Sequence, residues 1–177
     1  MQHIILISIF SILVLNCKAQ VDYHSLTSSE YANVKFQGVS FEAIKATNGN
    51  VQQMEQLFTG ARSNGEDLFT IDEFGSEIGE PQRYFYFNSG MKVSFDLGGP
   101  SEPIEIVRLE SPEITVLGHH LEIGDSIGVL ANNIEFNINK DGSKSILFIK
   151  NNGGCCPIVI DLDANMNVTD IYYLIFA

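Results

Sequence analysis

Two stretches of this chain follow one pattern. Residues 34–43 read VKFQGVSFEA, and residues 114–123 read ITVLGHHLEI. Apolar residues coincide at Val34/Ile114, Phe36/Val116, Phe41/Leu121 and Ala43/Ile123. Gly38 coincides with Gly118, and Glu42 with Glu122. The repeat is longer than most solenoid units, so it predicts two copies of one small domain. Both stretches also change parity at their glycine. Val34 and Phe36 share one face of an extended chain; after Gly38 the apolar set moves to Val39, Phe41 and Ala43. The second stretch does the same at Gly118, with Leu121 and Ile123 following. A shift of a two-residue period at a glycine marks a bulge or a tight hairpin. A shared irregularity argues for duplication more strongly than shared hydrophobicity does.

The spacing predicts a helix after each stretch. Asn50 is placed to cap the first, with Gln53 three residues on. Val51, Met54, Leu57 and Phe58 form its apolar stripe, and Gly60 can close it. In the second copy Asp125 or Ser126 caps, Ile127 and Leu130 form the stripe, and Asn132 or Asn133 closes. Gly128 weakens that helix by ~1 kcal/mol relative to Ala. Strands are expected at 67–72, 83–88, 91–97 and 104–110, and again at 134–139, 145–150, 157–162 and 168–176. Asn88-Ser89-Gly90 and Asp141-Gly142 supply short turns. The copies also match at their ends: Phe95-Asp96-Leu97 with Ile160-Asp161-Leu162, and Ile106 and Leu109 with Ile171 and Leu174. The expected fold is α+β, in two related units, each a short helix packed on a small antiparallel sheet. The units are placed at 34–112 and 113–177, after a leader at 1–19 and a loose N-terminal arm at 20–33.

This element order, with Ile123-Gly124-Asp125-Ser126 opening the second helix, resembles the tandem helix-plus-sheet repeats of the beta-lactamase inhibitory protein. It also resembles the single unit of the small outer-membrane assembly lipoproteins. The resemblance spans roughly residues 34–176. It implies exported proteins that bind other proteins and catalyse nothing, and no functional residue is carried over from it.

Residues 4–15, IILISIFSILVL, carry no charge. As a helix at ~1.5 Å per residue the run falls short of a ~30 Å hydrocarbon core. It reads as the core of a signal peptide, with Cys17-Lys18-Ala19 as a small-x-small cleavage site before Gln20, although the n-region lacks Lys and Arg. A second reading makes Val14-Leu15-Asn16-Cys17 a lipobox, with Cys17 lipidated after cleavage. Asn16 departs from the small residue that pattern wants before its Cys. Either route exports the chain to the periplasm, the outer membrane or beyond. Lys18 is the one charged residue of 1–19, so 9 basic and 22 acidic residues remain, a net charge of −13. That opposes nucleic acid and anionic lipid and suits a basic partner. The acids are spread along the chain, as on a folded acidic surface.

Cys155 and Cys156 are adjacent and close no loop. The alternatives are a vicinal disulfide, strained because adjacent Cα atoms are ~3.8 Å apart, or two small apolar residues opening a strand. Asp161, Asp163, Asn165 and Asn167 alternate like oxygen ligands of a calcium loop. They lack its Gly and terminal Glu, and read as a turn. His119 and His120 point to opposite faces of a strand, with no Cys, Asp or third His nearby, and so predict no zinc site. No catalytic or cofactor motif is present, and no triad or nucleophile elbow. The suggestive residues lie at 83–87. Phe85 and Phe87 are assigned to the helix side, and Arg83, Tyr84 and Tyr86 to the open face, where Tyr172 and Tyr173 add to them. Arg and Tyr are the types enriched where proteins bind proteins. The expectation is an exported, non-enzymatic protein-binding module of the inhibitor or immunity type. The alternatives are an envelope lipoprotein anchored at Cys17 and, third, a small-molecule-binding protein or a hydrolase.

Overall fold

The computed structural model of the protein describes residues 21–58, 66–71, 77–98, 104–130, 134–139, 141–152 and 156–175. Residues 1–20, with the leader and Cys17, lie outside this set, as do Gly60, Asn132, Asn133 and Cys155. In chain order the elements are β1 (His24–Leu26), α1 (Ser28–Ala32), β2 (Lys35–Phe36), β3 (Val39–Ser40), α2 (Phe41–Ala46), α3 (Val51–Leu57), β4 (Glu66–Ile71), β5 (Glu77–Tyr86), β6 (Lys92–Asp96), β7 (Glu105–Glu110), β8 (Glu113–Val116), β9 (His119–Glu122), a 3-10 turn (Ile127–Val129), β10 (Asn137–Ile138), β11 (Lys144–Lys150), β12 (Ile158–Leu162) and β13 (Val168–Leu174). The fold is α+β and mostly sheet, with three short helices among the described residues. No described helix is long and apolar enough to cross a membrane.

The matched glycines make tight hairpins. Gln37 and Gly38 both take positive φ, as do Leu117 and Gly118. Phe36 therefore pairs with Val39, and Val116 with His119. Two left-handed residues between paired strands are the turn whose twist suits a hairpin. The two hairpins then pair with each other: β2 lies antiparallel to β8 with Lys35 opposite Thr115, the position it matches in sequence. The result is a small sheet of order β3-β2-β8-β9.

The large sheet runs β1-β11-β12-β13-β7-β6-β5-β4, with β10 also on β11. Strands β4 to β7 form one antiparallel meander and β10 to β13 another, and they join through their last strands. At the join Leu109 faces Tyr173, flanked by Glu110 opposite Tyr172 and Arg108 opposite Leu174. The ladder skips Val107 between β6 and β7, so Leu109 stands opposite Val93 just as Tyr173 stands opposite Ile158.

The helices pack on one face of the large sheet. Each has at most seven residues, far below the ~12 an isolated helix needs, so packing and caps hold them. Asn50 caps α3 as expected, its side chain accepting from the Gln53 N–H at 3.0 Å. Phe41 ties the layers together, its ring lying 5.5 Å from Phe36, 6.0 Å from Tyr31 and 4.7 Å from Tyr173. The expected arm at 20–33 is not loose over its described part. β1 runs parallel to β11, with His24 edge-on to Phe148, and α1 carries a capping box between Thr27 and Glu30. The helix expected at 125–132 is reduced, over the described residues, to the 3-10 turn capped by Ser126.

Candidate functional site

The face of the large sheet turned away from the helices is where the sequence placed its binding residues. β5 alternates as a strand must. Phe85 and Phe87 are buried on the helix side, while Tyr84 is half-buried and Tyr86 is 43% exposed on the other. The two tyrosine rings stack 10° from parallel at 6.4 Å, and the Tyr84 hydroxyl donates to Gln82 at 2.9 Å. Of the expected helix-side residues, Phe58 is buried and Leu57 partly so.

Arg83 corrects the expectation. It shares parity with Phe85 and Phe87, so it lies on the helix side, where its guanidinium donates to the Gly49 carbonyl at 3.0 Å. Gly49 must remain glycine: its φ is +65°, and a Cβ there would meet the Phe95 ring at 3.2 Å. Tyr173 is likewise buried, against Phe41. Tyr172 does reach the open face.

The basic residues of that face come from β6 and β7. Cross-strand register sets Tyr86 beside Lys92 and Lys92 beside Glu110. Lys92 Nζ lies 3.0 Å from Glu110, whose other carboxylate oxygen takes Arg108 Nε. Burial alone would push Glu110 upward, but the bonds and charges of Lys92 and Arg108 outweigh it and hold the carboxyl below its ordinary value. The Arg108 guanidinium sits 6.0 Å over the Tyr172 ring. The Arg108 side chain remains 51% exposed. Tyr84, Tyr86, Lys92, Ser94, Arg108 and Glu110 line a groove of about 350 Å³.

Next to this groove Asp161 stands opposite Asp170 on β13. Burial first, and the neighbouring Asp170 and Asp141 carboxylates next, raise the Asp161 carboxyl; a hydrogen bond from Tyr172 works against them. The Tyr172 hydroxyl is itself pushed up to about 12, mainly by burial and then by Asp161. Further along, Leu147 and Val159 are buried, so the accessible part of the face is β5 to β7 with β13.

The remaining candidates are turns or lie apart. Asp163 accepts from the N–H groups of Asn165 and Asn167, both at 2.8 Å, and from the Asn167 amide at 3.1 Å. Those bonds hold the turn and keep its carboxyl low. Asp141 does the same for Ser143. Cys156 is disulfide-bonded; Cys155 and Cys17 lie outside the described residues. His119 is exposed and His120 lies 3.1 Å from Glu122. Sequence reasoning missed Lys92, Arg108 and Glu110. The alternation Lys92, Ser94, Asp96 was a usable signal for β6; for β7 there was none, because the residue skipped at Val107 hides the parity. Compared with known proteins, the chain matches no family model, and no curated protein or solved structure matches it.

Proposed function

We propose that the chain is an exported, non-enzymatic protein-binding module, of the inhibitor or immunity type, that holds its partner on the open face of the large sheet. One observation carries this reading: the Tyr84–Tyr86 stack beside Arg108, whose guanidinium is held by Glu110 and Tyr172 while its side chain stays about half exposed. Tyr and Arg dominate protein-binding hot spots. A guanidinium already held in place loses little entropy on binding, and its fork suits a partner carboxylate. A net charge of −12 for the whole chain steers basic partners toward the surface and disfavours nucleic acid. The leader at 1–19 supports export.

The same reading treats the fold as two related units, 34–112 and 113–177. It is supported by like turns at Gly38 and Gly118, by the pairing of the matched positions Lys35 and Thr115, and by two meanders of like order meeting at Leu109 and Tyr173. The second reading, an envelope lipoprotein anchored at Cys17, is favoured by a different observation. Val21, Tyr23 and Ile138 are three of the five exposed large apolar residues described. They are drawn together where Asp22 and Asn137 exchange hydrogen bonds of 2.9 and 2.7 Å, a few residues beyond Cys17.

Replacing Tyr86 by a photo-crosslinking benzoylphenylalanine in the native host tests the first reading. The expected result is one protein adduct, lost when Arg108→Glu is added and not formed from the same probe at Ile138. Equal protein adducts from both positions, or none from position 86, would defeat it. Lipid adducts from position 138 would favour the lipoprotein.

A further inference from the structure

We propose that Glu113, His120 and Glu122, on the outer face of the small sheet, form a binding site for a borderline divalent transition ion, zinc foremost. β8 and β9 pair with Glu113 directly opposite Glu122 and with Thr115 opposite His120. Two-residue periodicity then puts all three side chains on one face. One donor atom from each lies within 4.8 Å of the other two. Small rotamer changes bring such a set to the roughly 2.0–2.2 Å that zinc takes from nitrogen and oxygen ligands.

Directly opposed carboxylates are unfavourable across a ladder. Here no Lys or Arg relieves them among the described residues: Glu122 has only the imidazole, and Glu113 has no ion-pair partner. A cation between them would relieve the repulsion. The backbone at both ends is already fixed. The buried Ser111 hydroxyl donates to the Glu113 carbonyl at 2.7 Å and accepts from its N–H at 3.3 Å. The Asp125 carboxylate accepts from the Glu122 N–H at 2.8 Å. Binding would therefore have to order side chains only.

The other hairpin is an internal comparison. Its matching positions are Asn33, Ser40 and Glu42. The Asn33 amide donates to the Ser29 carbonyl, Ser40 caps α2, and Glu42 reaches Lys150 at 3.7 Å. A hairpin of this kind thus forms without a His and two carboxylates, so the fold does not demand them at 113, 120 and 122. An imidazole with two carboxylates selects zinc, nickel, cobalt or copper over calcium or magnesium. Three protein donors leave a coordination position for water or for a donor from outside the chain.

Calorimetric titration of the untagged chain with zinc tests the site, alongside Glu113→Gln, His120→Asn, Glu122→Gln and His119→Asn. His119 is the control because its side chain alternates to the other face. The expected result is one ion per chain. Each of the three ligand variants should weaken binding roughly tenfold or more, with His119→Asn unchanged and the His120 ring resonances shifted by zinc. All four positions are at the surface or half-buried, so metal-free melting of each variant checks that lost binding is not lost folding. Affinity unaltered in His120→Asn, or no binding at millimolar zinc, would overturn the site.

Discussion

Arg83 and Arg108 lie on strands of the same sheet and serve opposite faces of it. Arg83 follows from parity alone: positions 83, 85 and 87 share a face, and its guanidinium crosses to the Gly49 carbonyl. Arg108 could not be read that way. An unbroken period would set it and Glu110 with Ile106 in the core; the residue skipped at Val107 turns both outward, beside Lys92 and Ser94. Tyr84 and Tyr86 were legible because β5 is regular there, and Tyr173 was not, because its neighbour Tyr172 is equally aromatic and only burial separates them. Two carboxyls of this face respond oppositely to pH. Glu110 is held low, so its stabilisation is present above the ordinary carboxylate range and is lost as pH falls through its folded value. Asp161 is raised, so its ionisation costs stability as pH rises from the ordinary Asp value through the raised one. Glu110→Gln should lower stability by roughly 0.5–1 kcal/mol at neutral pH. Asp161→Asn should raise the melting temperature at neutral pH, and both differences should shrink near about pH 3. Thermal melts at the two pH values check the signs.

At the scale of elements, hairpins and caps were legible and helix extents were not. Asn50 and Ser126 cap where expected, because a side-chain acceptor before an apolar stripe has few other uses. α2 departs from the expected extended run of Val39, Phe41 and Ala43, although Ser40 can cap a helix and Phe41 and Ile44 are three apart. Both fill the core, and packing rather than propensity chose the helix. Beyond Ser126, Gly128 and the short stripe sustain only a 3-10 turn in the described residues. The turns themselves are testable. Gln37 holds φ of 50° without being glycine, and Gly38 holds 76° with nothing within 4 Å of a Cβ. Gln37→Asn should therefore stabilise the chain, by about 0.5 kcal/mol, because Asn tolerates that region. Gly38→Ala should cost ~1–2 kcal/mol through backbone strain alone. Urea denaturation of the two variants measures both.

Across the whole molecule, the pattern shared by 34–43 and 114–123 foretold where two hairpins would form, but not that they would pair with each other. Nor did it foretell that the meanders would join into one sheet; contacts between Lys35 and Thr115, or Leu109 and Tyr173, leave no periodic trace in a chain. The joining matters because the open face draws on both halves. Tyr84, Tyr86, Lys92 and Arg108 come from the first, and Tyr172, which supports Arg108, from the second. The most direct test of this face is the affinity of the partner captured at position 86 for Tyr84→Ala/Tyr86→Ala and for Arg108→Ala, read with their melting temperatures. Each should weaken binding by ~2 kcal/mol or more, about thirtyfold, while the fold melts nearly as before. Affinity unchanged in both variants, with the fold intact, would contradict it.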